Sequence, residues 1–163
     1  MCRSRSAENR HDELGIENSY FVGGRMIQKT LTMLKPDTMA AGNAGKIIAM
    51  LESEGFAIIG MKLFRLTAEK AGRFYAVHRE RPFYSSLVSF MSEGPVIAMV
   101  LEREDAIQHL RKVMGATDPA KADPGTIRKL FASSIEHNAI HGSDSEASAQ
   151  FEIGFFFSQL EQL

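Results

Sequence analysis

Apolar positions along the chain switch repeatedly between a two-residue period and a helical one. Residues 28–34 read as a short β-type run. Ala44, Ile47, Ile48 and Leu51 then recur at i, i+3, i+4 and i+7, one face of a helix, and Gly55 stands where a left-handed cap ends it. Residues 56–66 predict a long strand, with Ala57, Ile59, Met61 and Leu63 alternating onto one side. Thr67 caps a predicted helix whose Ala71, Phe74, Tyr75 and His78 share a face. Pro82 opens another, carrying Phe83, Leu87, Phe90 and Met91, and Gly94-Pro95 stops it. Residues 95–101 are almost wholly apolar, the pattern of a central strand covered on both faces. Ala106, Ile107, Leu110, Val113 and Met114 line the next helix. A long loop, 115–125, leads to a short helix near 127–134 and a strand candidate at 138–141. Ser143-Asp144-Ser145 then caps a last helix that runs through Leu160.

The order β-α-β, helices, β-α, loop, β-α predicts two β-α-β units. The expected fold is an α/β (α+β) sandwich with a ferredoxin-like βαββαβ core, an antiparallel sheet with helices on one face, and additional helices. Its 163 residues suit one compact domain. Residues 1–25, rich in Arg, Asp, Glu and Asn, read as a disordered leader that buries too little apolar surface to offset its ordering entropy, so the folded domain is expected over 26–163. That leader lacks the apolar stretch of a secretion signal, and no apolar run approaches a membrane span. Apolar residues at 44% and charged residues at 24% are an ordinary soluble balance. A net charge of −1 gives no global field for nucleic acid or an acidic membrane, so any anion site must be built from a few converging cations. The single cysteine, Cys2, makes no internal disulfide and no zinc site, which fits a reducing cytoplasm.

The chemistry concentrates at Asn138-Ala139-Ile140-His141-Gly142-Ser143-Asp144-Ser145. A histidine ends a strand, a glycine allows close backbone approach, and a helix N-terminus follows with free amides and a positive dipole end. Phosphate beside an imidazole is favourable there. A lone histidine near a helix start is nonetheless more often structural or solvated, so the segment alone implies an anion site and no more. Gly42-Asn43-Ala44-Gly45-Lys46 hints at a phosphate-binding loop, but the spacing is short and Ile47 replaces the Ser/Thr; it reads as a helix entry.

Further segments sharpen the picture. Lys35-Pro36-Asp37 follows the first strand. Phe74-Tyr75-Ala76-Val77-His78 and Arg81-Pro82-Phe83 come next, then Gly115-Ala116-Thr117-Asp118-Pro119-Ala120 and Pro124-Gly125-Thr126-Ile127-Arg128. With the His141 segment, these resemble the motifs of nucleoside diphosphate kinases in order and spacing, over residues 26 to about 160. Leu130 stands where many members carry Asp, and Ala41 where many carry Arg, which bears on subunit packing or stability rather than on phosphate contacts.

The resemblance implies a ping-pong exchange of γ-phosphate between nucleoside triphosphates and diphosphates, with His141 as nucleophile through a phosphohistidine. Glu152 is the candidate for holding the other ring nitrogen. It is the odd acid on a helix arc with Ala149, Ile153 and Phe156, although read alone it is more often a rim carboxylate. Arg111, Arg128, His78 and Thr117 match the family's phosphate contacts, and Lys35 and Asn138 its sugar-hydroxyl contacts, with Lys35 also nearing the transferring phosphate. Tyr75 and Ser143 match hydrogen-bonding groups around the histidine and its phosphate. Phe83 matches the aromatic on which the base stacks, with Ile135 opposite and Leu87 nearby; the bland alternative is a core residue at helical spacing with Leu87 and Phe90. Mg²⁺ is expected to arrive with the nucleotide, since the motifs include no dedicated carboxylate cage. A homo-oligomer, tetramer or hexamer, is implied, with no requirement for nucleic acid or membrane. The competing readings are a catalytically idle relative acting as a nucleotide-binding or regulatory module, and a phosphohistidine carrier with no nucleotide site.

Overall fold

The computed structural model describes residues 19–163. Its strands are β1 (Ser19–Val22), β2 (Arg25–Leu34), β3 (Ala57–Arg65), β4 (Pro95–Glu104) and β5 (Ile140–Gly142). They form one antiparallel sheet in the order β1-β2-β4-β3, with β5 also paired to β2. The helices are α1 (Pro36–Ala40), α2 (Ala44–Ser53), α3 (Ala68–Phe74), α4 (Tyr84–Glu93), α5 (Ala106–Met114), α6 (Ile127–Phe131) and α7 (Glu146–Phe156). Short 3₁₀ turns lie at Ala76–His78 and Gln159–Glu161. The path β5-β2-β4-β3 is the strand order of a ferredoxin-like βαββαβ core, as the alternation of periods predicts. No helix among the described residues is long and apolar enough to cross a membrane.

Helices cover both faces of the sheet, where one covered face was expected. On one face, Leu34, Ile97, Met99 and Leu101 pack against Ile47 and Leu51 of α2 and Leu110 and Met114 of α5. On the other, Leu31, Met33, Val96, Ala98 and Val100 meet Phe74 of α3, Met91 of α4 and Ile153 of α7. The added helices α3, α4 and α7 therefore make the second layer. This is why β4 has no polar alternation: Val96 through Leu101 are buried on both sides.

Three local expectations are corrected. In β3 the register slips between Ile58 and Gly60, so Ile59 stays inward while Met61 and Leu63 turn to the opposite face, where they are 46% and 65% exposed. One inserted residue reverses the side chains beyond it, which a strict alternation cannot anticipate. The domain boundary expected at Met26 falls inside a hairpin. Gly23 and Gly24, at φ 56 and 82, turn the chain so that Ser19–Val22 pairs with β2, and the Tyr20 hydroxyl donates to Glu102 at 2.7 Å. A Gly-Gly turn after three β-formers is a hairpin signal that the leader's mean composition concealed. The rest of that expected leader, residues 1–18, lies outside the described residues. Finally, the last helix ends at Phe156, because Ser158 and Glu161 form their own capping box and restart the chain as a 3₁₀ turn.

Candidate active site

β5 presents His141 by lying on the free edge of β2. Met33 pairs with His141, and the Thr32 hydroxyl donates to the His141 carbonyl at 2.7 Å. The imidazole is 20% exposed, and its Nε2 lies 2.9 Å from Glu152 Oε2. The Ser143 hydroxyl donates to the same oxygen at 2.7 Å. Glu152 sits on α7 between the fully buried Ala149 and Ile153. A carboxylate accepts, so Nε2 carries the shared proton and a neutral ring keeps its lone pair on Nδ1. No described residue is hydrogen-bonded to Nδ1.

Phe74 and Tyr75 meet the imidazole edge-on, with ring centroids 5.3 and 5.9 Å away. The buried Tyr75 hydroxyl has no hydrogen-bond partner among the described residues. Burial, then the nearby Glu152 charge, pushes that phenol well above its ordinary pKa, so it remains a donor without an acceptor.

The cations converge from three elements. Lys35, at the end of β2, is buried and donates from Nζ to Asn138 Oδ1 at 2.7 Å. Burial, then the positive charge of Arg128, lowers its pKa to about 8, while Asp37 opposes the shift. Arg128, on α6, is also buried. Its two terminal nitrogens donate to the carbonyls of Gly115 at 2.9 Å and Ile140 at 3.0 Å, and its Nε–H has no partner among the described residues. Burial and then Arg111 lower its pKa to about 10. Arg111 projects from the exposed side of α5, where its charge also helps hold the Asp144 carboxyl below its ordinary value, after the larger effect of the Ser148 hydrogen bond. Thr117 is exposed on the loop that begins at the Gly115 carbonyl held by Arg128.

A close approach registers these elements. A Cβ at Gly142 would lie 2.6 Å from Met114 Sδ and 2.9 Å from Leu110 Cδ2, so only glycine lets β5 rest on α5 here. One further device sits between Asn138 and His141. Ala139 is fully buried at φ 68, and Ile140 N–H donates to the Asn138 carbonyl at 2.8 Å. That is the positive-φ form of the γ-turn, which costs a non-glycine residue on the order of 1–3 kcal/mol.

The remaining candidates lie at or near the surface. Phe83, the residue before α4, is 46% exposed, so the core alternative for it fails. His78 lies 5.6 Å from Phe83 and stacks on Tyr75 at 6.4 Å, so ring contacts run from Phe83 to His141. Leu87 is half-buried against the core, and Ile135 is 59% exposed, its carbonyl accepting from Asn138 Nδ2 at 2.7 Å.

Residues 28–162 match the family model described as nucleoside diphosphate kinase. The chain belongs to the nucleoside diphosphate kinase family. It is 54% identical to the nucleoside diphosphate kinase of Chlorobium limicola over 135 residues, covering 83% of this chain and 96% of that one. It is also 54% identical to that of Geobacter sulfurreducens over 137 residues, covering 84% and 100%. The solved Aquifex aeolicus nucleoside diphosphate kinase superposes with a TM-score of 0.83 at 52% identity, covering 84% of this chain and 99% of that one. A halophilic nucleoside diphosphate kinase from Halobacterium salinarum, solved in complex with CDP, gives 0.81 at 43% identity, covering 83% and 91%.

For a nucleoside diphosphate kinase family member, the site's donors are mostly cations and neutral amides. Among the described residues no three or more His, Cys, Asp or Glu side chains are grouped to hold a metal ion. Lys35, Arg128 and Asn138 are donors suited to phosphate and sugar oxygens rather than ligands for a bare divalent ion. Sequence reasoning missed Asp37 and Thr38, whose groups reach the Ala139 backbone. An acid in the first turn of a helix ordinarily reads as a partner of the helix dipole, and nothing local signals a contact so far along the chain.

Proposed function

We propose that the chain is a nucleoside diphosphate kinase that moves a γ-phosphate from a nucleoside triphosphate to a diphosphate by a ping-pong mechanism, through a phosphohistidine on His141. The observation that carries this reading is the hydrogen bond from Nε2 to Glu152, which leaves Nδ1 as the nucleophilic nitrogen. Nδ1 attacks the γ-phosphorus and the bond to the leaving diphosphate breaks. Positive charge develops on the ring, and Glu152 stabilises it through the Nε2 proton. Tyr75, whose hydroxyl lacks an acceptor among the described residues, gains one in the transferred phosphoryl group. Arg111, Arg128, His78 and Thr117 hold the phosphates. Lys35 and Asn138 hold the sugar hydroxyls, and Phe83 with Ile135 and Leu87 receives the base. Mg²⁺ comes bound to the nucleotide phosphates and neutralises part of their charge. The protein works as a homo-oligomer, a reading supported by Met61 and Leu63 standing exposed on the outermost strand β3; sedimentation as a monomer would sink that part.

Labelled ATP followed by a mixture of diphosphates tests the whole reading. The chain takes up acid-labile label, then yields it to adenine, guanine, cytosine, uracil and thymine diphosphates at efficiencies within about tenfold, because every base offers a π-face. Nucleotide binding without label means an idle module. Label that no diphosphate removes means a carrier. Preference for one base by several orders of magnitude means that some side chain reads a base edge.

The low pKa of Lys35 adds a pH signature. Above about pH 8 the free enzyme loses this charge, so kcat/KM falls as pH rises. Bound phosphates hold the proton, and the corresponding limb of kcat lies at higher pH. The stability effect has the opposite sign. The unfolded lysine, with its ordinary pKa of ~10.4, binds more protons than the folded one above about pH 8, so this group makes folding more favourable as pH rises through that window. The activity lost through Lys35 deprotonation is therefore not a loss of folding contributed by that group. A kcat/KM profile flat to pH 10 would contradict the assignment of Lys35.

A further inference from the structure

The strained residue at 139 is held by one short stretch of chain. Its N–H donates to Asp37 Oδ2 at 3.0 Å. Its carbonyl accepts from the Lys35 N–H at 3.0 Å and from the Thr38 hydroxyl at 2.8 Å. The other oxygen of Asp37 accepts from the Thr38 N–H at 2.9 Å, which aims the carboxylate across to the turn. Both backbone polar groups of Ala139 are thus gripped from residues 35–38, at the junction of β2 and α1. An alanine persists in such a conformation only where its surroundings over-determine it, whereas glycine adopts it freely.

The turn sits between two groups that must agree in position. Asn138, on its N-terminal side, holds Lys35 Nζ, and His141, on its C-terminal side, lies in β5. We infer that Asp37, seconded by Thr38, is a positioning residue for phosphoryl transfer: by clamping Ala139 in the γ-turn it sets where His141 stands relative to Lys35 and Asn138. The inference rests on His141 being the nucleophile, as proposed above. Asp37 touches no reacting atom in this account, and its side chain acts on the backbone of residue 139. A rival route exists through charge, because Asp37 supports the protonated form of Lys35 against burial and against Arg128.

The test is a cycle of four full-length proteins: wild type, Asp37→Ala, Ala139→Gly and the double variant. The measurement is the single-turnover rate of phosphorylation by saturating Mg·ATP, with thermal melting as a check on folding. Asp37→Ala slows phosphorylation about 10²-fold, the scale of an ångström-sized misplacement. Adding Ala139→Gly to it restores about tenfold or more, because the turn no longer stores strain that the clamp must hold. Thr38→Val, which keeps shape and charge, gives a smaller loss that Ala139→Gly also relieves. Should Asp37→Ala fail to fold, the Thr38→Val and Ala139→Gly pair gives the same reading. Glycine cannot restore a charge. If the Asp37→Ala loss persists in the double variant, while Asp37→Asn matches Asp37→Ala and both move the alkaline limb to lower pH, Asp37 acts through Lys35 and the inference is overturned. An Asp37→Ala rate within about twofold of wild type, far below the effect expected of misplacement, overturns it too. Absence of any phosphorylation in the wild type instead removes the nucleophile reading itself.

Discussion

His141→Ala is expected to abolish phosphoryl exchange and all acid-labile labelling by ATP while the protein still melts cooperatively near the wild-type temperature. The loss of activity follows from the chemistry: with the ring gone the imidazole lone pair is gone, and the neighbouring Ser143 hydroxyl is a far weaker nucleophile whose proton is committed to Glu152. The survival of the fold follows from the packing. The imidazole is partly exposed, and its main contacts are the edges of Phe74 and Tyr75 and one bond to Glu152. Glu152 keeps the Ser143 hydroxyl at 2.7 Å after the truncation, so no buried carboxylate is stranded. Exchange kinetics, acid-labile phosphate and a thermal melt decide the matter. More than trace activity in this variant would falsify the mechanism.

Arg128→Ala should lower kcat/KM by about 10²-fold or more, as loss of a preorganised charge donor does elsewhere. Unlike the histidine variant, it should also destabilise. The guanidinium ties the Gly115 and Ile140 carbonyls together, one at the head of the 115–125 loop and one in the strand of His141. Removing it deprives both of a charged donor, a cost on the order of 2 kcal/mol. Arg128→Lys separates the two functions, since a single ammonium cannot span both carbonyls in a fork. It should recover some stability and little activity. Full catalytic efficiency in Arg128→Ala would make the residue a tether alone and remove it from the phosphate site.

The parts of this fold that could be read from sequence are those governed by local periodicity. The helical spacing of Ala106, Ile107, Leu110, Val113 and Met114 becomes the buried face of α5, and the apolar run at 95–101 becomes the strand between two helical layers. Glu152 is picked out by the family resemblance, since an acid beside Ala149 and Ile153 read alone is more often a rim carboxylate; the imidazole stands 2.9 Å from it. What escaped depends on contacts between residues far apart in the chain. The slip at Ile58 and Gly60 is a property of pairing with β4, not of the β3 sequence. The hairpin of β1 rests on two glycines inside a polar stretch. The γ-turn at Ala139 is the extreme case. Alanine carries no mark of positive φ, and the groups that hold it, Asp37 and Thr38, lie roughly a hundred residues earlier.

The missing side chain at Gly142 has a mechanical consequence. Met114 and Leu110 occupy the space a methyl group would need, so the spacing between the strand that carries His141 and the helix that carries Arg111 is set by hard contact between atoms. Repulsion of that kind does not soften with ionic strength as an ion pair does, and close-packed interiors compress little. The two halves of the proposed phosphate site thus keep their separation in concentrated salt, where the steering of charged nucleotides fades. Salt should tax the capture of substrate and leave the chemical step at saturation nearly untouched.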